Sequence, residues 1–569
     1  MQCLSRARLP GGMRQIVGAR HQSSIAVIGS GITGVTTARA LMARGFDVTV
    51  YDRHRMEAME TSFANGGQLS ASNAEVWNSW GTVLKGIKWM FQSDAPLLMN
   101  PWPSWHKYSW CAEFVAQIPM YKANTVETVR LAIQARELLL KHAEDYNFDF
   151  NAEHRGILHF YMGEKDYQHA EYVTKLYAEG GLERYPVTPA EMREIDPALD
   201  PDTCAILCAT QRNSAPFHAR ISPTPPTPLP PSLRRYIGGF FTPSDFTGDI
   251  HKYSVGLAKG IKERGVKFNC GIDEGRVKEL RAHNGKVDVV LGDPAETFAG
   301  PTFYGGRTNK RAKSRDGEVH TYDGVVVCAG VRSRDLAAQL GDRVNIYPVK
   351  GYSITVNMND AQSQNAAPWV SLLDDEAKIV TSRLGKDRFR IAGTAEFNGY
   401  NRDTRHRDTR HRVTHHRNTH HRPTSAATAT ASTPRRYNRD IRHDRIVPLV
   451  RWCNTHFPEI STEDITPWSG VPHPTHPTLL PPPQPPPPTP TATTSTPGTS
   501  PLAGLRPMMP TMLPRVGAGK APGVFYNTGH GHLGWTLSAA TAEMVGEAVR
   551  AGMRKSKLDN SPAVAMTKQ

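Results

Sequence analysis

The sequence predicts an α/β fold in which distant parts of the chain assemble a parallel sheet and the segments between them build a mixed sheet. The main observation is residues 25–52, IAVIGSGITGVTTARALMARGFDVTVYD, whose pattern is a buried strand, a glycine turn, a helix and a second strand. A helix followed by a strand recurs over residues 249–277, and a short apolar run, DGVVVCAG, occupies residues 323–330. Strand–helix–strand units of this kind are typical of parallel sheets, since the connecting helix must cross over one face.

The turn GSGITG at residues 29–34 has the glycine spacing of a dinucleotide-binding site. Gly29 allows the tight turn, Gly31 lets a pyrophosphate approach the backbone, and Gly34 lets the helix pack closely on the strand. Asp52 follows Gly29 by 23 positions at the end of the second strand, where a carboxylate can accept hydrogen bonds from ribose hydroxyls. Because strand, turn, helix and terminal acid coincide, we predict that this unit binds a dinucleotide.

Three further segments bring small or apolar residues to the same predicted ligand. The loop ETSFANGGQ presents Asn65 and Gly66, where main chain can approach a flat ligand. The helix–strand unit after residue 249 is expected to end near Val277 and to support an adenine, and the run DGVVVCAG delivers Gly330 at the end of a strand. We therefore predict cofactor contacts at these four residues.

The block NTGHGHLGW at residues 527–535 opens a helix of small residues. A helix N-terminus offers free N–H groups and positive partial charge, which favour an anion or a reduced, negatively charged ring. The predicted cofactor contacts in this block are Gly529, His530, Gly531, Leu533 and Gly534.

Composition is that of a globular protein without a nucleic-acid-binding surface. Of 569 residues, 39% are hydrophobic, which is enough for a sizeable core. The net charge of +15 is concentrated: residues 1–24 contribute +4 and residues 401–445 contribute +8, so the rest is nearly neutral and no nucleic-acid partner is predicted. The seven cysteines form no CxxC pair, which indicates free thiols in a reducing compartment, and no metal site is predicted.

The first 24 residues have the composition of a targeting leader. They contain four arginines, no acid and a serine-rich end, a pattern that predicts a mitochondrial transit peptide; a disordered tail is the alternative. No run of about 18 apolar residues occurs, which argues against a membrane-spanning helix. Association with a membrane surface stays open. Residues 556–569 are predicted to form a tail.

Three low-complexity tracts interrupt the sequence, at residues 218–236, 404–440 and 471–500. The first and third are proline-rich and the second is rich in Arg, His, Ala and Thr, so none has the apolar periodicity of a packed element. The motif YNRD stands at residues 400–403 and again at 437–440. The sequence therefore predicts that residues 404–440 are an insertion into a complete domain.

Deleting residues 404–440 should leave the fold and the cofactor content intact, because the repeated YNRD lets the chain rejoin in register. Closing a flexible loop becomes only about 0.6 kcal/mol more costly per doubling of its length, so both forms should fold. Circular dichroism and the visible spectrum of the purified deletion variant measure this. An insoluble or colourless product would show that the tract belongs to the domain.

Seven strings distributed along the chain resemble one family of enzymes. They are VIGSGITGVTTA, ETSFANGGQLS, LKGIKWMFQSDAPL, YPVKGYS, AGTAEFNGY, GLRPMMP and NTGHGHLGWT. Together they resemble the FAD-dependent amino-acid oxidoreductases related to D-amino-acid oxidase, and in particular the D-amino-acid dehydrogenase (small-subunit) family. One departure is local: the family pattern usually continues TPDG after GLRPM, whereas this chain has MPTML at residues 509–513.

The resemblance implies a cofactor, a reaction and two site residues. FAD would accept a hydride from Cα of a D-amino acid, and the imino acid would be hydrolysed to a 2-oxo acid and ammonia. Arg506 of GLRP matches the arginine that grips the substrate carboxylate, a task that suits the guanidinium fork. Tyr352 of KGYS is the second catalytic candidate, with a packed sheet tyrosine as the alternative. The electron acceptor stays open among a quinone, a carrier protein and oxygen.

The same resemblance implies a division of the chain into two domains. A discontinuous Rossmann-type FAD-binding domain would comprise residues 25–75, 240–345 and 505–555, and a mixed-sheet α+β substrate domain would comprise residues 76–217 and 346–470. Oxidation of secondary or N-methyl amines such as sarcosine, glycine or proline is the alternative reaction in this superfamily. A nonenzymatic interaction protein and a defective gene product rank below both.

Overall fold

The computed structural model describes residues 22–63, 65–90, 95–99, 103–199, 236–271, 274–292, 317–397, 399, 442–468 and 505–559. The predicted leader up to residue 21, the tract 218–236 except its last residue, the tracts 404–440 and 471–500, and residues 560–569 of the tail lie outside the described residues.

Strands and helices alternate along the described chain. The strands are β1 Ser24–Ile28, β2 Asp47–Asp52, β3 Gln68–Leu69, β4 Leu97–Met99, β5 Ile157–Tyr161, β6 Tyr185–Val187, β7 Gly238–Thr242, β8 Phe246–Thr247, β9 Lys267–Cys270, β10 Val277–His283, β11 Lys286–Leu291, β12 Val319–Tyr322, β13 Gly324–Val327, β14 Tyr347–Asn357, β15 Ser371–Asp374, β16 Ile379–Arg383, β17 Arg388–Phe397, β18 Ile465–Trp468, β19 Leu505–Met508, β20 Arg515–Ala518 and β21 Val524–Thr528. The helices are α1 Ile32–Ala43, α2 Trp80–Trp89, α3 Trp105–Ala116, α4 Tyr121–Asp145, α5 Glu164–Glu179, α6 Pro189–Ile195, α7 Ile250–Glu263, α8 Ser333–Gln339, α9 Ala361–Ala366, α10 His443–His456 and α11 Gly534–Asp559.

The first sheet brings together strands that are far apart in sequence. Its order is β20-β21-β13-β1-β2-β9, and all neighbours are parallel except the β20–β21 pair. The central strands β1 and β13 are apolar runs buried on both faces, as expected when helices cover both sides of a parallel sheet. All six strands lie inside the three segments predicted for the discontinuous domain, except that β1 begins one residue earlier, at Ser24. The predicted α/β class is confirmed.

Close packing of α1 on β1 depends on two glycines of the turn. Gly29 has φ +108°, a left-handed conformation that side chains rarely adopt. A Cβ atom added to Gly34 would lie 1.8 Å from the carbonyl oxygen of Gly29, so the helix can approach the strand only without one. The structure thus gives Gly34 the packing function that the motif predicts.

The second large sheet is mixed. Its order is β18-β14-β17-β16-β15-β5-β7-β6, with β19 paired to β14 and β4 paired to β17. Only the β15–β5 and β17–β4 pairs are parallel. Two strands do not follow the predicted domain limits. β7 ends inside a segment predicted for the parallel-sheet domain and β19 lies inside another, yet both pair within the mixed sheet.

The expected strand end near Val277 is displaced. β9 ends at Cys270, and Val277 begins β10, which belongs to an antiparallel sheet of order β10-β11-β12. Two glycines lie between these strands: Gly271 has φ +114°, and a Cβ on Gly275 would lie 2.1 Å from the carbonyl oxygens of both Asn269 and Asp52. Val277 is buried at the start of a strand and not at the end of one.

Candidate functional site

A cavity of about 680 Å³ lies between the carboxyl ends of the parallel strands and the mixed sheet. This is the edge of an open α/β sheet at which ligands are expected to bind. Thirteen of the fifteen residues predicted to contact cofactor or substrate line it: Gly29, Gly31, Asp52, Asn65, Gly66, Val277, Gly330, Arg506, Gly529, His530, Gly531, Leu533 and Gly534. Gly34 and Tyr352 do not. The structure therefore brings together segments that are just over 500 residues apart, from Gly29 to Gly534.

Main chain forms the wall of the cavity near the glycine turn. Gly31 is the N-cap of α1 with φ −66° and ψ 177°, and a Cβ there would approach only Ser62 Oγ, at 3.4 Å. A Cβ on Gly330, where φ is +53°, would meet nothing within 4 Å. This open, side-chain-free wall next to the N-terminus of α1 fits a pyrophosphate held by backbone groups.

Asp52 is fixed at the end of β2 beside this wall. Its Oδ2 accepts the backbone N–H of Ser30 at 2.7 Å, and its Oδ1 accepts that of His54 at 2.9 Å. Each carboxylate oxygen can accept a second hydrogen bond. The geometry therefore fits the predicted contact with ribose hydroxyls.

The N-terminus of α11 forms another part of the wall. Gly529 and Gly531, with φ +81° and +59°, turn the chain into the helix, and the Gly531 N–H donates to the carbonyl of Pro507 at 2.9 Å. His530 is buried, and its Nε2 lies 2.9 Å from Thr541 Oγ1. Burial lowers the pKa of His530 to about 3, so the imidazole is neutral at physiological pH. The backbone of this turn and the positive end of α11 face the cavity.

Arg506 lies on β19, where it pairs with Val349 of β14, and it lines the cavity. The guanidinium lies against Gly351: a Cβ there would be 2.6 Å from Nη2. Burial lowers the pKa of Arg506, yet a guanidinium remains protonated at neutral pH. Within the described part of the chain, we find no hydrogen bond or ion pair to Arg506. A cavity-lining cation of this kind is suited to an anionic group of a ligand.

Tyr352 is placed elsewhere. On β14 it shares a face with Ile354 and Val356, which are buried in the hydrophobic core beneath the mixed sheet. Its hydroxyl donates to Glu396 Oε1 at 3.0 Å. An irregularity in the β14–β17 register between Gly351 and Tyr352 precedes this face. The structure therefore favours a packed sheet tyrosine, the alternative considered from the sequence, and we no longer place Tyr352 among the site residues.

Two aromatic side chains at the cavity were not predicted. His532 and Trp77 both line it, and their rings stack with centroids 4.6 Å apart and an interplanar angle of 16°. His532 lies inside the block already recognised from its glycines, and the second histidine of GHGHLG was the available signal. Trp77 follows the ETSFANGGQLS loop and carries no motif of its own.

A charged cluster at the cavity was also missed. Asp375 accepts hydrogen bonds from Lys378 Nζ at 3.0 Å and from the Tyr161 hydroxyl at 2.6 Å, and His159 Nδ1 lies 3.4 Å away. Burial alone would raise the pKa of Asp375, but Lys378 and His159 hold it well below its usual value. These residues belong to β5 and to the turn after β15, which only the folded sheet brings together.

Glu75 adds a second carboxylate to this cluster. Its Oε1 accepts a hydrogen bond from the Tyr121 hydroxyl at 2.6 Å and lies 3.0 Å from His169 Nε2. That contact raises the pKa of His169. The cavity thus combines a main-chain wall near the glycine turn with a wall of polar and charged side chains.

Comparison with known proteins identifies the family. The FAD dependent oxidoreductase (DAO) family matches residues 24–485 and 490–548. The chain belongs to this family. FAD is accordingly its cofactor, and the enzyme is an FAD-dependent oxidoreductase, as predicted.

Curated relatives and solved structures agree with this assignment. A protein of Mesorhizobium japonicum named D-amino acid dehydrogenase 3 is 46% identical over 92% of this chain and 96% of its own. A D-amino acid dehydrogenase of Paramagnetospirillum magneticum is 31% identical over 92% and 94%. Glycine oxidase from Bacillus cereus, at 15% identity, superimposes with a TM-score of 0.54 over 93% of this chain and 98% of its own. L-proline dehydrogenase from P. horikoshii, at 16% identity, has a TM-score of 0.54 over 96% and 98%. The two structures confirm the fold.

The predicted mitochondrial location is wrong. The relatives named D-amino acid dehydrogenase come from bacteria, which points to a bacterial cell. The prediction depended on the arginine-rich, acid-free composition of residues 1–24. That composition also fits the alternative, a disordered tail without a targeting function.

Proposed function

We propose that this flavoenzyme oxidises D-amino acids to imino acids, which water hydrolyses to 2-oxo acids and ammonia. The supporting observation is Arg506, which lines the same cavity as the glycine turn and whose guanidinium has no hydrogen bond or ion pair with any residue that the structure describes. The names of the bacterial relatives support the choice of D-amino acids. We retain the proposed division into a discontinuous FAD-binding domain and a substrate domain, since the two large sheets follow it apart from β7 and β19.

We assign FAD binding to five parts of the cavity. The turn at Gly29 and Gly31 and the N-terminus of α1 would hold the pyrophosphate, and Asp52 would accept the ribose hydroxyls. Val277 and Gly330 would contact the nucleotide side, and the turn before α11 would place its N–H groups near the ring system. Asn65 and Gly66 complete the set. All of these residues line the cavity.

Arg506 would hold and orient the substrate. A bidentate guanidinium–carboxylate pair fixes both position and plane, so it can aim Cα of the amino acid. When bound, FAD supplies the hydride acceptor for the Cα–H bond. Loss of that hydride and of one proton from nitrogen leaves the imino acid. Gly351 assists, because any side chain there would displace the guanidinium from the strand.

A substrate panel tests this function. The purified enzyme would be incubated with D- and L-amino acids, sarcosine, glycine and proline, with and without oxygen, while flavin absorbance and 2-oxo acid are measured. We expect D-amino acids to bleach the flavin absorbance and to yield an equivalent amount of 2-oxo acid. Bleaching by sarcosine or proline alone would assign the secondary-amine reaction instead. Comparing the assays with and without oxygen shows whether oxygen is the electron acceptor or whether a quinone or a carrier protein is needed.

We also propose that helix α2 attaches the enzyme peripherally to a membrane. Trp80, Leu84 and Ile87 lie on one face and are 49–65% exposed, an unusual set for a soluble surface. The other face, with Lys85 and Trp89, lines the cavity. The helix contains no acid; Lys85 pairs with Asp166 on the cavity side, and the exposed Lys88 supplies a positive charge beside the apolar face. Apolar and aromatic residues combined with a lysine are typical of a helix lying on an anionic lipid surface. None of the helices in the described residues is long and apolar enough to cross a membrane.

Wild-type enzyme should therefore co-sediment with vesicles that contain phosphatidylglycerol. The double variant Leu84→Asp/Ile87→Asp should bind at least about tenfold more weakly, since each buried aliphatic side chain is worth roughly 1.5–3 kcal/mol. Met544→Asp is the matched control, because Met544 is 45% exposed on α11. Equal sedimentation of all three proteins would contradict the attachment.

A further inference from the structure

His532 is a polar side chain that lacks a hydrogen-bond partner of normal geometry within the part of the chain that the structure describes. Both ring nitrogens are shielded from solvent, and neither makes a hydrogen bond of normal geometry with any described residue. The ring lines the cavity and is held in place by its stack on Trp77. Buried polar groups without partners are rare in native proteins, and one in a ligand cavity indicates a hydrogen bond to the ligand.

The neighbours of His532 place it on the substrate side of the cavity. Burial and then the charges of Arg506 and Lys378 lower its pKa to about 3, and a hydrogen bond with the Asn73 backbone, too poor in geometry to satisfy the ring, opposes this lowering. None of these neighbours belongs to the glycine turn, and Arg506 is the proposed carboxylate ligand. The carboxylate and amino group of an α-amino acid share one carbon atom. A side chain close enough to Arg506 to be affected by its charge is thus well placed to contact the substrate nitrogen.

The protonation state of His532 fits that partner. The imidazole is neutral at physiological pH, so one ring nitrogen is an acceptor and the other a donor. A charged imidazolium would repel a substrate ammonium group, whereas the neutral ring can accept an N–H. The stack on Trp77 fixes the plane of the ring and hence the direction of its acceptor.

We infer that His532 accepts a hydrogen bond from the α-amino group of the substrate and so selects amino acids over other carboxylates of the same size. The inference rests on the proposed function, in which Arg506 binds the carboxylate. Recognition is divided between two residues: Arg506 holds the group that all carboxylates share, and His532 holds the group that only the amine substrate has.

Two ligands that differ by the amino group test the inference. D-Alanine is measured by its kcat/KM, and propanoate by its Kd from the perturbation of flavin absorbance. His532→Ala should lower kcat/KM for D-alanine roughly 10- to 100-fold, as expected for one hydrogen bond to a buried partner, and leave the propanoate Kd within about twofold. His532→Gln, which keeps an acceptor, should recover part of the loss. Arg506→Ala should weaken both ligands.

Three results would overturn the inference. If His532→Ala weakened propanoate binding as much as it lowered kcat/KM for D-alanine, His532 would have a structural role. Unchanged D-alanine kinetics would show that His532 is not part of the substrate site. A loss of flavin, or a shifted flavin spectrum in ligand-free His532→Ala, would show that the ring faces the cofactor. Failure of the proposed function looks different: wild-type enzyme would bind propanoate but would not be bleached by D-alanine. In that case, D-alanine is replaced by an amine that does bleach the flavin, and propanoate is replaced by the carboxylate that matches this amine but lacks its nitrogen.

Discussion

Replacing Arg506 with alanine is expected to reduce kcat/KM for D-alanine by ~30-fold to several thousand-fold. The variant would leave a desolvated substrate carboxylate without its charged partner, which costs on the order of 2–5 kcal/mol. The FAD content should not change, because Arg506 enters the cavity from β19 and not from the glycine turn. Steady-state kinetics together with the ratio of flavin to protein absorbance measure both effects.

Arg506→Lys should be impaired as well, since it keeps the charge but loses the fork that fixes the plane of the carboxylate. Arg343→Ala is the control for removing an arginine, because Arg343 is a surface residue paired with Glu113. Near-normal kinetics in Arg506→Ala would assign Arg506 to structure, and with that the proposed substrate geometry would fall.

Gly31→Val should abolish stoichiometric FAD binding in a folded protein. The side chain would project where the pyrophosphate is expected, while its Cβ would meet the protein only at Ser62 Oγ, 3.4 Å away. The backbone at Gly31 has φ −66°, which valine tolerates. We expect FAD affinity to fall at least about 100-fold, or ~2.7 kcal/mol. The melting temperature should fall too, because a ligand that binds the native state stabilises it.

Gly34→Ala gives the contrasting result. Its Cβ would overlap the carbonyl oxygen of Gly29 at 1.8 Å, so the fold itself should lose about 3 kcal/mol or more. Titration with FAD, followed by flavin fluorescence, and thermal unfolding separate a lost ligand from a lost fold. A Gly31→Val protein that purifies with a full complement of FAD would contradict the cofactor site.

The sequence was most informative where one backbone conformation is required locally. The turn of Gly29, Gly31 and Gly34 could be recognised because strand, helix and acid follow within 25 residues, and the structure gives Gly29 the positive φ and Gly34 the close packing that the spacing predicts. Arg506 was identified through resemblance, and its position in the cavity, with no ion pair to a described residue, agrees with that assignment. Composition alone was weaker evidence: the basic residues 1–24 predicted a mitochondrial address that the bacterial relatives contradict.

Features that depend on distant contacts could not be predicted. Tyr352 lies on the buried face of β14 and donates a hydrogen bond to Glu396 of β17, a contact that only the assembled mixed sheet defines. Val277 lies at the start of β10 and not at the end of β9, because β9 already ends at Cys270. His532 became a candidate only when Trp77, 455 positions earlier, was found stacked on it. Burial and partners, which only the folded chain defines, distinguished these side chains from ordinary core residues.

The most direct test of the central claim is the anaerobic rate of flavin reduction by D-alanine and by D-alanine deuterated at Cα. We expect the wild-type flavin to be bleached by D-alanine and not by L-alanine. The deuterated substrate should react more slowly, because the Cα–H bond breaks in that step. Bleaching by neither enantiomer, or equal rates for the two isotopic forms of D-alanine, would contradict hydride transfer from Cα of a D-amino acid as the measured step.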